Sequence, residues 1–137
     1  MFVDASAIVA ILTRELEADA LADRLDAANG CITSPIAVFE AALAICRKRQ
    51  ASVAEARDDV REFLEIARVG VVGITPADGD AALEAFARYG KGRGHPAQLN
   101  LADCFAYAVA KNQGVALLFK GDDFSRTDLA DGRSPFG

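Results

Sequence analysis

The chain of 137 residues has no tryptophan, a single histidine and only three cysteines. Cys31, Cys46 and Cys104 are odd in number and widely spaced, so the pattern favours reduced thiols over a disulfide framework or a zinc site. His95 lies in a stretch rich in glycine and proline, which is typical of a loop residue. With no other histidine, the sequence gives no basis for a Ser-His-Asp or Cys-His catalytic arrangement.

Long apolar runs are also missing. No stretch approaches the roughly 20 residues that a helix needs to span a bilayer. The first residues, Met-Phe-Val-Asp, lack the basic segment and apolar stretch that mark a secretory signal, so we expect none. Together with the reduced cysteines, this pattern predicts a cytoplasmic protein that does not contact a membrane.

Positive charge is in the minority, because 15 Lys and Arg residues stand against 20 Asp and Glu residues, for a net charge of −5. This total does not exclude a nucleic-acid partner, since local basic patches decide phosphate binding. The residues available for such patches are Arg47, Lys48, Arg49, Arg88, Lys91 and Arg93.

Apolar residues are abundant, at 52% of the chain, and they suffice for the core of one domain over residues 1–137. Apolar runs at 1–4, 31–33, 71–74 and 115–119 predict short buried strands. Helical patterns begin near residues 5, 15, 35, 52, 75 and 100, and Phe39, Phe63 and Phe105 are expected in the core. The alternation predicts a three-layer α/β/α sandwich around a mainly parallel sheet, which binds ligands beyond the carboxyl ends of its strands.

Four acidic residues stand where acids are unexpected. Glu40 is the only charge in residues 36–46, and Asp103 is the only charge in residues 101–110. Asp4 closes the first predicted strand, and Asp122 follows the last one. A carboxylate in an apolar helix is costly unless it is paired, hydrogen-bonded or metal-bound. In the expected sandwich, all four acids can converge on one edge of the sheet.

Converging carboxylates resist joint ionisation, because each charge raises the pKa of its neighbours. A divalent cation removes that penalty, and oxygen ligands select a hard ion such as Mg²⁺ or Mn²⁺. Each acid also has a local explanation. Asp4 could cap the following helix, and Asp103 could complement the helix dipole. Glu40 could pair with a base such as Arg47, and either acid at 122 and 123 could favour a turn.

The segments around these acids resemble the PIN-domain ribonucleases, and within them the VapC-type toxins of bacterial toxin–antitoxin pairs. The matching segments are Met-Phe-Val-Asp-Ala-Ser at the start, Val-Phe-Glu-Ala-Ala-Leu around Glu40, Leu-Asn-Leu-Ala-Asp-Cys-Phe-Ala-Tyr-Ala-Val-Ala-Lys around Asp103, and Leu-Leu-Phe-Lys-Gly-Asp-Asp-Phe near the end. They occur in order over almost the whole chain. Ala102 is a mild departure, because relatives often have glycine before the acid.

The resemblance implies a PIN-like fold and endonucleolytic cleavage of RNA that depends on Mg²⁺, with Mn²⁺ as an alternative ion. It implies that Asp4, Glu40, Asp103 and Asp122 form the catalytic and metal-binding set, with Asp4 and Asp103 as the firmest ligands. It also implies a homodimer and a VapB-type antitoxin that blocks the site.

Two further residues are candidate substrate contacts. Ser6, two residues beyond Asp4, could hydrogen-bond a carboxylate or a phosphate, or could simply begin the helix. Arg93, with Lys91 and Arg88 nearby in sequence, could hold an RNA phosphate, and a solvated loop explains it equally well.

Three other functions fit parts of the pattern. A haloacid-dehalogenase-like phosphatase also uses an Asp after its first strand and a late Gly-Asp-Asp, but it wants a second Asp where this chain has Ser6, and it gives no role to Glu40. A signalling receiver domain needs an acceptor Asp after a middle strand, where this chain has Thr75 and Pro76. A module that binds RNA or protein without catalysis would keep the fold and lose the acids.

Overall fold

The computed structural model describes residues 1–129. The described part of the chain forms, in order, β1 (Phe2–Val3), α1 (Ala5–Leu12), α2 (Ala18–Ala27), β2 (Cys31–Thr33), α3 (Pro35–Arg49), α4 (Val53–Ile66), β3 (Val69–Val71), α5 (Pro76–Tyr89), α6 (Leu101–Gln113) and β4 (Leu117–Leu118). The last eight residues of the predicted domain, 130–137, lie outside the described residues, so its extent to residue 137 stays a prediction.

The four strands form one parallel sheet in the order β3-β2-β1-β4. Phe2 lies at the centre of the sheet, paired with Ile32 on one side and Leu117 on the other. The N–H of Phe2 donates to the Ala116 carbonyl at 2.7 Å. Phe2, Val3, Leu117 and Leu118 are fully buried, as expected of strands covered by helices on both faces. The predicted α/β fold with a parallel sheet is confirmed.

The order of the strands creates a switch point beside β1. The chain moves outward from β1 to β2 and β3, and then returns past β1 to place β4 on its other side. In open parallel sheets, ligands bind at the carboxyl ends of the strands where the direction of winding reverses. Asp4 follows β1, and Lys120 lies two residues after β4. The topology alone therefore brings these two residues to the place where a ligand is expected.

Local capping explains where most helices begin. Ser34 accepts the Ala37 N–H before α3, and Ser52 accepts the Glu55 N–H before α4, which is one half of a capping box. Complete capping boxes begin α5 and α6: the residue directly before each helix, Thr75 or Asn100, and the residue three positions later, Asp78 or Asp103, hydrogen-bond each other's backbone. These pairings satisfy the free N–H groups of the first helical turn.

Two predicted strands differ from the structure in position or length. The strand predicted at 71–74 is β3, and it lies two residues earlier because Arg68, at φ 57°, ends α4 and turns the chain at once into pairing with β2. The Val72 N–H still donates to the Thr33 carbonyl at 2.9 Å, beyond the strand proper. The strand predicted at 115–119 is reduced to Leu117–Leu118.

The expectation that Phe39 lies in the core is wrong, because its side chain is 64% exposed. The prediction assumed that an apolar helix is buried all round. In α3 the fully buried positions are Ala37, Ala41 and Ile45, which form one stripe, and Phe39 lies off that stripe. Phe63 and Phe105 are partly buried against the core.

Cys31, Cys46 and Cys104 are free thiols, and none of the helices within residues 1–129 is long and apolar enough to cross a membrane.

Candidate active site at the end of the sheet

Asp4 lies directly after the central strand and is 5% exposed. Its Oδ2 accepts the Ser6 N–H at 3.0 Å and the Ser6 hydroxyl at 2.6 Å, so Asp4 does cap α1, as its local explanation proposed. The Ser6 Oγ in turn accepts the backbone N–H of Lys120 at 2.9 Å. This serine therefore connects the ends of β1 and β4 and fixes the Asp4 carboxylate at the switch point.

Asp103 reaches the same region from the first turn of α6 and is 6% exposed. Its Oδ2 accepts the Asn100 N–H at 3.1 Å, and its own N–H donates to the Asn100 side chain at 2.9 Å. The local explanation by helix capping is thus also correct. The capping box also fixes the position of the Asp103 carboxylate at the beginning of α6.

Glu40 lies in the second turn of α3 and is partly buried. Within residues 1–129 it forms no ion pair, although the charge of Arg47, on the same helix, acts to lower its pKa. The alternative that Glu40 is simply one half of a buried ion pair is therefore not supported. Its carboxylate remains available for another role.

The pKa values show that these acids form one electrostatic group. Burial, together with the charges of Asp123, Asp4 and Glu40, raises the pKa of Asp103 to about 7 against the lowering effect of the Asn100 hydrogen bond. Burial also raises the pKa of Asp4, despite its hydrogen bonds to Ser6, and Asp123 adds to that shift. The pKa of Glu40 is raised by burial and then by the charges of Asp4 and Asp123. The structure therefore brings together the ends of β1 and β4 and the helices α3 and α6.

The acid of the turn after β4 that belongs to this electrostatic group is Asp123, and the predicted catalytic and metal-binding role of Asp122 stays a prediction. Asp123 is the acid of this turn whose charge raises the pKa of Asp4, Glu40 and Asp103. Asp122 and Asp123 are both exposed, and the backbone carbonyl of Asp122 accepts both the N–H and the hydroxyl of Ser125, at 3.2 and 2.6 Å. Two adjacent acids in a turn cannot be distinguished by pattern, because the strength of their charge interactions depends on distances that only the folded turn sets.

The donor set fits a hard divalent cation that is loosely held. Among residues 1–129, no three Asp, Glu, His or Cys side chains approach closely enough to enclose one ion. Mg²⁺ does not require such a cage, because it is commonly bound through one or two carboxylates and keeps several waters. Mutual repulsion of the kind that raises the pKa of Asp103 is the condition that a bound cation relieves.

Basic residues lie beside the acids. The polar residues that line a cleft of about 280 Å³ are Ser6, the acids Glu15 and Glu40, and the bases Arg47, Lys48 and Lys120. From the sequence alone, Arg47 and Lys48 are included only among the residues available for basic patches, and Arg93 is named as the candidate phosphate contact. Lys120 could have been identified from its position two residues after β4, because ligands bind at the carboxyl ends of parallel strands.

Arg93 lies in the exposed loop between α5 and α6. Its backbone N–H donates to the Gly90 carbonyl at 3.1 Å, and no hydrogen bond or ion pair within the described chain engages its side chain. Substrate binding by Arg93 and by Ser6 stays a prediction, with the Ser6 hydroxyl already engaged by Asp4 and Lys120.

The PIN domain model matches residues 1–129, and the chain therefore belongs to the PIN-domain family. Within that family it is similar to proteins named VapC ribonucleases. One from Rhizobium meliloti is 46% identical over 140 residues, which cover 93% of this chain and 98% of the relative. Ribonuclease VapC28 of Mycobacterium tuberculosis is 39% identical over 129 residues, covering 94% of this chain and 95% of that protein. The resemblance found in the sequence is confirmed.

The fold also matches a solved structure. The crystal structure of VapC20 of Mycobacterium tuberculosis, described as a toxin that cleaves the sarcin–ricin loop, superposes with a TM-score of 0.69. The match covers 90% of this chain and 92% of that one at 20% sequence identity, so it supports the PIN-like fold alone.

Proposed function

We propose that this protein is a metal-dependent endoribonuclease of the VapC type, the toxic component of a toxin–antitoxin pair. The observation that carries the proposal is the group of four acids at the switch point, in which burial and like charge raise the pKa of Asp103 to about 7. Acids arranged in this way destabilise an empty site and favour a bound cation. The high identity to proteins named VapC ribonucleases gives the reaction class.

The proposed metal is Mg²⁺, with Mn²⁺ as an alternative, because the available ligands are carboxylate oxygens. Asp4 and Asp103 are the proposed direct ligands, and Glu40 is proposed to bind directly or through water. Asp123, in place of Asp122, is proposed as the fourth member. Such a metal polarises a phosphate oxygen and lowers the pKa of a bound water.

The protein's own residues have separate proposed tasks in this reaction. Ser6 holds the Asp4 carboxylate through its 2.6 Å hydrogen bond, and Asn100 holds the Asp103 carboxylate at 3.1 Å. Restricting both carboxylates in this way lowers the cost of ordering them around substrate and metal. The substrate class that we propose is RNA, without a particular target sequence.

The proposed partners are a second copy of the chain and a VapB-type antitoxin, and the proposed location is the cytoplasm. Both partners need exposed apolar surface, and the described chain has an apolar cleft of about 230 Å³ between α5 and α6. Leu83 and Leu101 line it and are 70% and 67% exposed. Light scattering of the purified chain should give twice the monomer mass, and a monomer at micromolar concentration would remove the homodimer proposal.

The test of the function is cleavage of a fluorescently labelled RNA by the purified chain. We expect internal cuts in Mg²⁺, none in a chelator, and none with Asp4→Asn purified in the same way. Cleavage that persists in the chelator or in the variant would contradict the metal-dependent mechanism. A phosphorylated Asp4 after incubation with a phosphomonoester would favour the phosphatase alternative instead.

A further inference from the structure

The basic side of the cleft is assembled from two distant parts of the chain. Lys48 lies in the last turn of α3, and Lys120 follows β4. Both ammonium groups meet at Glu15, which follows α1: Lys48 Nζ donates to Glu15 Oε1 at 3.0 Å, and Lys120 Nζ donates to the same oxygen at 3.1 Å. Arg47 completes the cationic side. We call Arg47, Lys48 and Lys120 the basic wall.

The basic wall is joined to the acidic group by direct contacts. The backbone N–H of Lys120 donates to the Ser6 hydroxyl, which itself donates to Asp4. Arg47 and Glu40 lie on the same helix, α3, and line the same cleft. A ligand that reaches the acids therefore extends along the wall without leaving the cleft.

The lining of this cleft is richer in cations than the chain as a whole. The chain has a net charge of −5, whereas three cations line this cleft against Glu15 and the acid Glu40. One carboxylate, Glu15, accepts from both lysines, and Lys120 also lies 3.8 Å from Glu17, so each ammonium group shares its acidic partners. The lysines also keep 48% and 34% of their side-chain surface exposed, and exposed ion pairs of this kind are weak and exchange readily.

We infer that the basic wall is a binding subsite for RNA phosphates next to the scissile one, with Glu15 as an internal anion that the phosphate displaces. This inference rests on the proposed function and extends it by naming the residues that hold the RNA backbone. Compact ammonium groups suit this role, since they bind phosphate as point charges without reading sequence.

The displacement by phosphate has a consequence for Glu15. In the free protein the Glu15 carboxylate accepts hydrogen bonds from both lysines. A phosphodiester that binds the same two ammonium groups must replace this carboxylate. Removing the carboxylate charge should therefore strengthen RNA binding, although Glu15 also orients the two lysines. The gain in positive potential is expected to exceed the lost orientation, because exposed ion pairs order their side chains only weakly.

The experiment measures the binding of a labelled single-stranded RNA by anisotropy over a salt series. Ca²⁺ replaces Mg²⁺, and a gel checks that the RNA remains intact. The variants are Lys48→Ala, Lys120→Ala, their combination, and Glu15→Gln. Arg57→Ala is the matched control, because Arg57 is an exposed cation that pairs with Asp58 on α4.

We expect each lysine variant to weaken binding several-fold and the double variant about tenfold. Each lost phosphate contact should reduce the slope of log affinity against log salt by about 0.7. Glu15→Gln should bind two- to threefold more tightly, and Arg57→Ala should bind like the unmodified chain. Thermal melting of every variant verifies that it is folded.

Unchanged affinity and salt slope in the folded double variant would overturn the inference. If that variant lost binding to poly-glutamate while keeping RNA affinity, the wall would instead serve an acidic protein partner. Weaker RNA binding by Glu15→Gln would remove the role of Glu15 as a competing anion. Failure of the proposed function would look different, because the unmodified chain would then not cleave RNA in Mg²⁺.

Discussion

The helices α5 and α6 begin with the same local structure, but the pKa values of their capping acids are shifted in opposite directions. Asp78 and Asp103 each occupy the third helical position of a complete capping box. Both are buried, at 3% and 6% exposure. Burial acts to raise the pKa of Asp78, but hydrogen bonds from Thr75 and Asn112 outweigh it and the pKa is lowered. The pKa of Asp103 is raised to about 7.

The difference comes from what surrounds each carboxylate. Asn112 donates to Asp78 Oδ1 at 2.8 Å, and a neutral donor of this kind stabilises the charged form. Asp103 faces three other acids, and a single backbone N–H compensates only part of its burial. A capping box therefore explains why an acid is present but not what the acid does. The neighbouring groups decide whether its pKa is lowered, as at Asp78, or raised, as at Asp103.

The largest expected contrast is in catalysis. Asp103→Asn should lower Mg²⁺-dependent RNA cleavage at least about 100-fold, because losing groups that merely orient metal ligands already costs 10- to 100-fold. Asp78→Asn should leave the cleavage rate within about twofold. Initial rates with labelled RNA provide the measurement. Equal cleavage rates for the two variants would show that the difference in pKa between Asp78 and Asp103 is unrelated to catalysis.

A second contrast separates the neighbouring acids of the turn after β4. Asp123→Asn should reduce cleavage about tenfold or more, since the charge of Asp123 acts on Asp4, Glu40 and Asp103. Asp122→Asn should have less than about a twofold effect. Rates and Mn²⁺ affinity by calorimetry measure both variants. The reverse ranking would restore Asp122 as the fourth acid.

In the absence of metal, Asp103 and Asp78 should contribute differently to the pH dependence of stability. Because the pKa of Asp103 rises from 3.8 to about 7 on folding, the folded state binds more protons in that interval, and stability falls as pH rises through it. In chelator, the melting temperature should therefore decrease between pH 5 and pH 8, and Mg²⁺ should restore it at pH 8.

Matched variants sharpen this measurement. Asp103→Asn should flatten the profile between pH 5 and pH 8. Asp78→Asn should leave its shape unchanged, because the pKa of Asp78 lies below 3.8 and its stabilising effect is lost only as pH falls through that range. A melting temperature that rises steadily with pH in chelator would contradict a raised pKa of Asp103 in the folded protein.

The smallest expected effect concerns stability at a single pH. Asp78→Ala should lower the free energy of unfolding by about 1–2 kcal/mol, through loss of the cap and an unpaired Asn112 amide. Asp103→Ala in chelator at pH 8 should cost less, because removing a repelled charge offsets the lost cap. Urea denaturation measures both. A larger loss for Asp103→Ala would mean that its carboxylate is mainly structural.

Sequence periodicity predicted the parallel α/β fold and the start of nearly every helix, because capping residues and apolar runs act locally. It was less reliable for β3, whose register depends on pairing with β2, and for Phe39, whose exposure depends on which stripe of α3 meets its neighbours. It also identified Asp4, Glu40 and Asp103 as unusual, since each is an acid in an apolar context.

The sequence by itself determined which side chains could bind a metal and that they sit at strand ends and helix starts. Only the tertiary structure decided that the charge of Asp123 acts on Asp103, that hydrogen bonds lower the pKa of Asp78, and that Lys48 and Lys120 meet at Glu15. The physical reason is that charge interactions depend on distance and burial across the chain, which residue order does not encode.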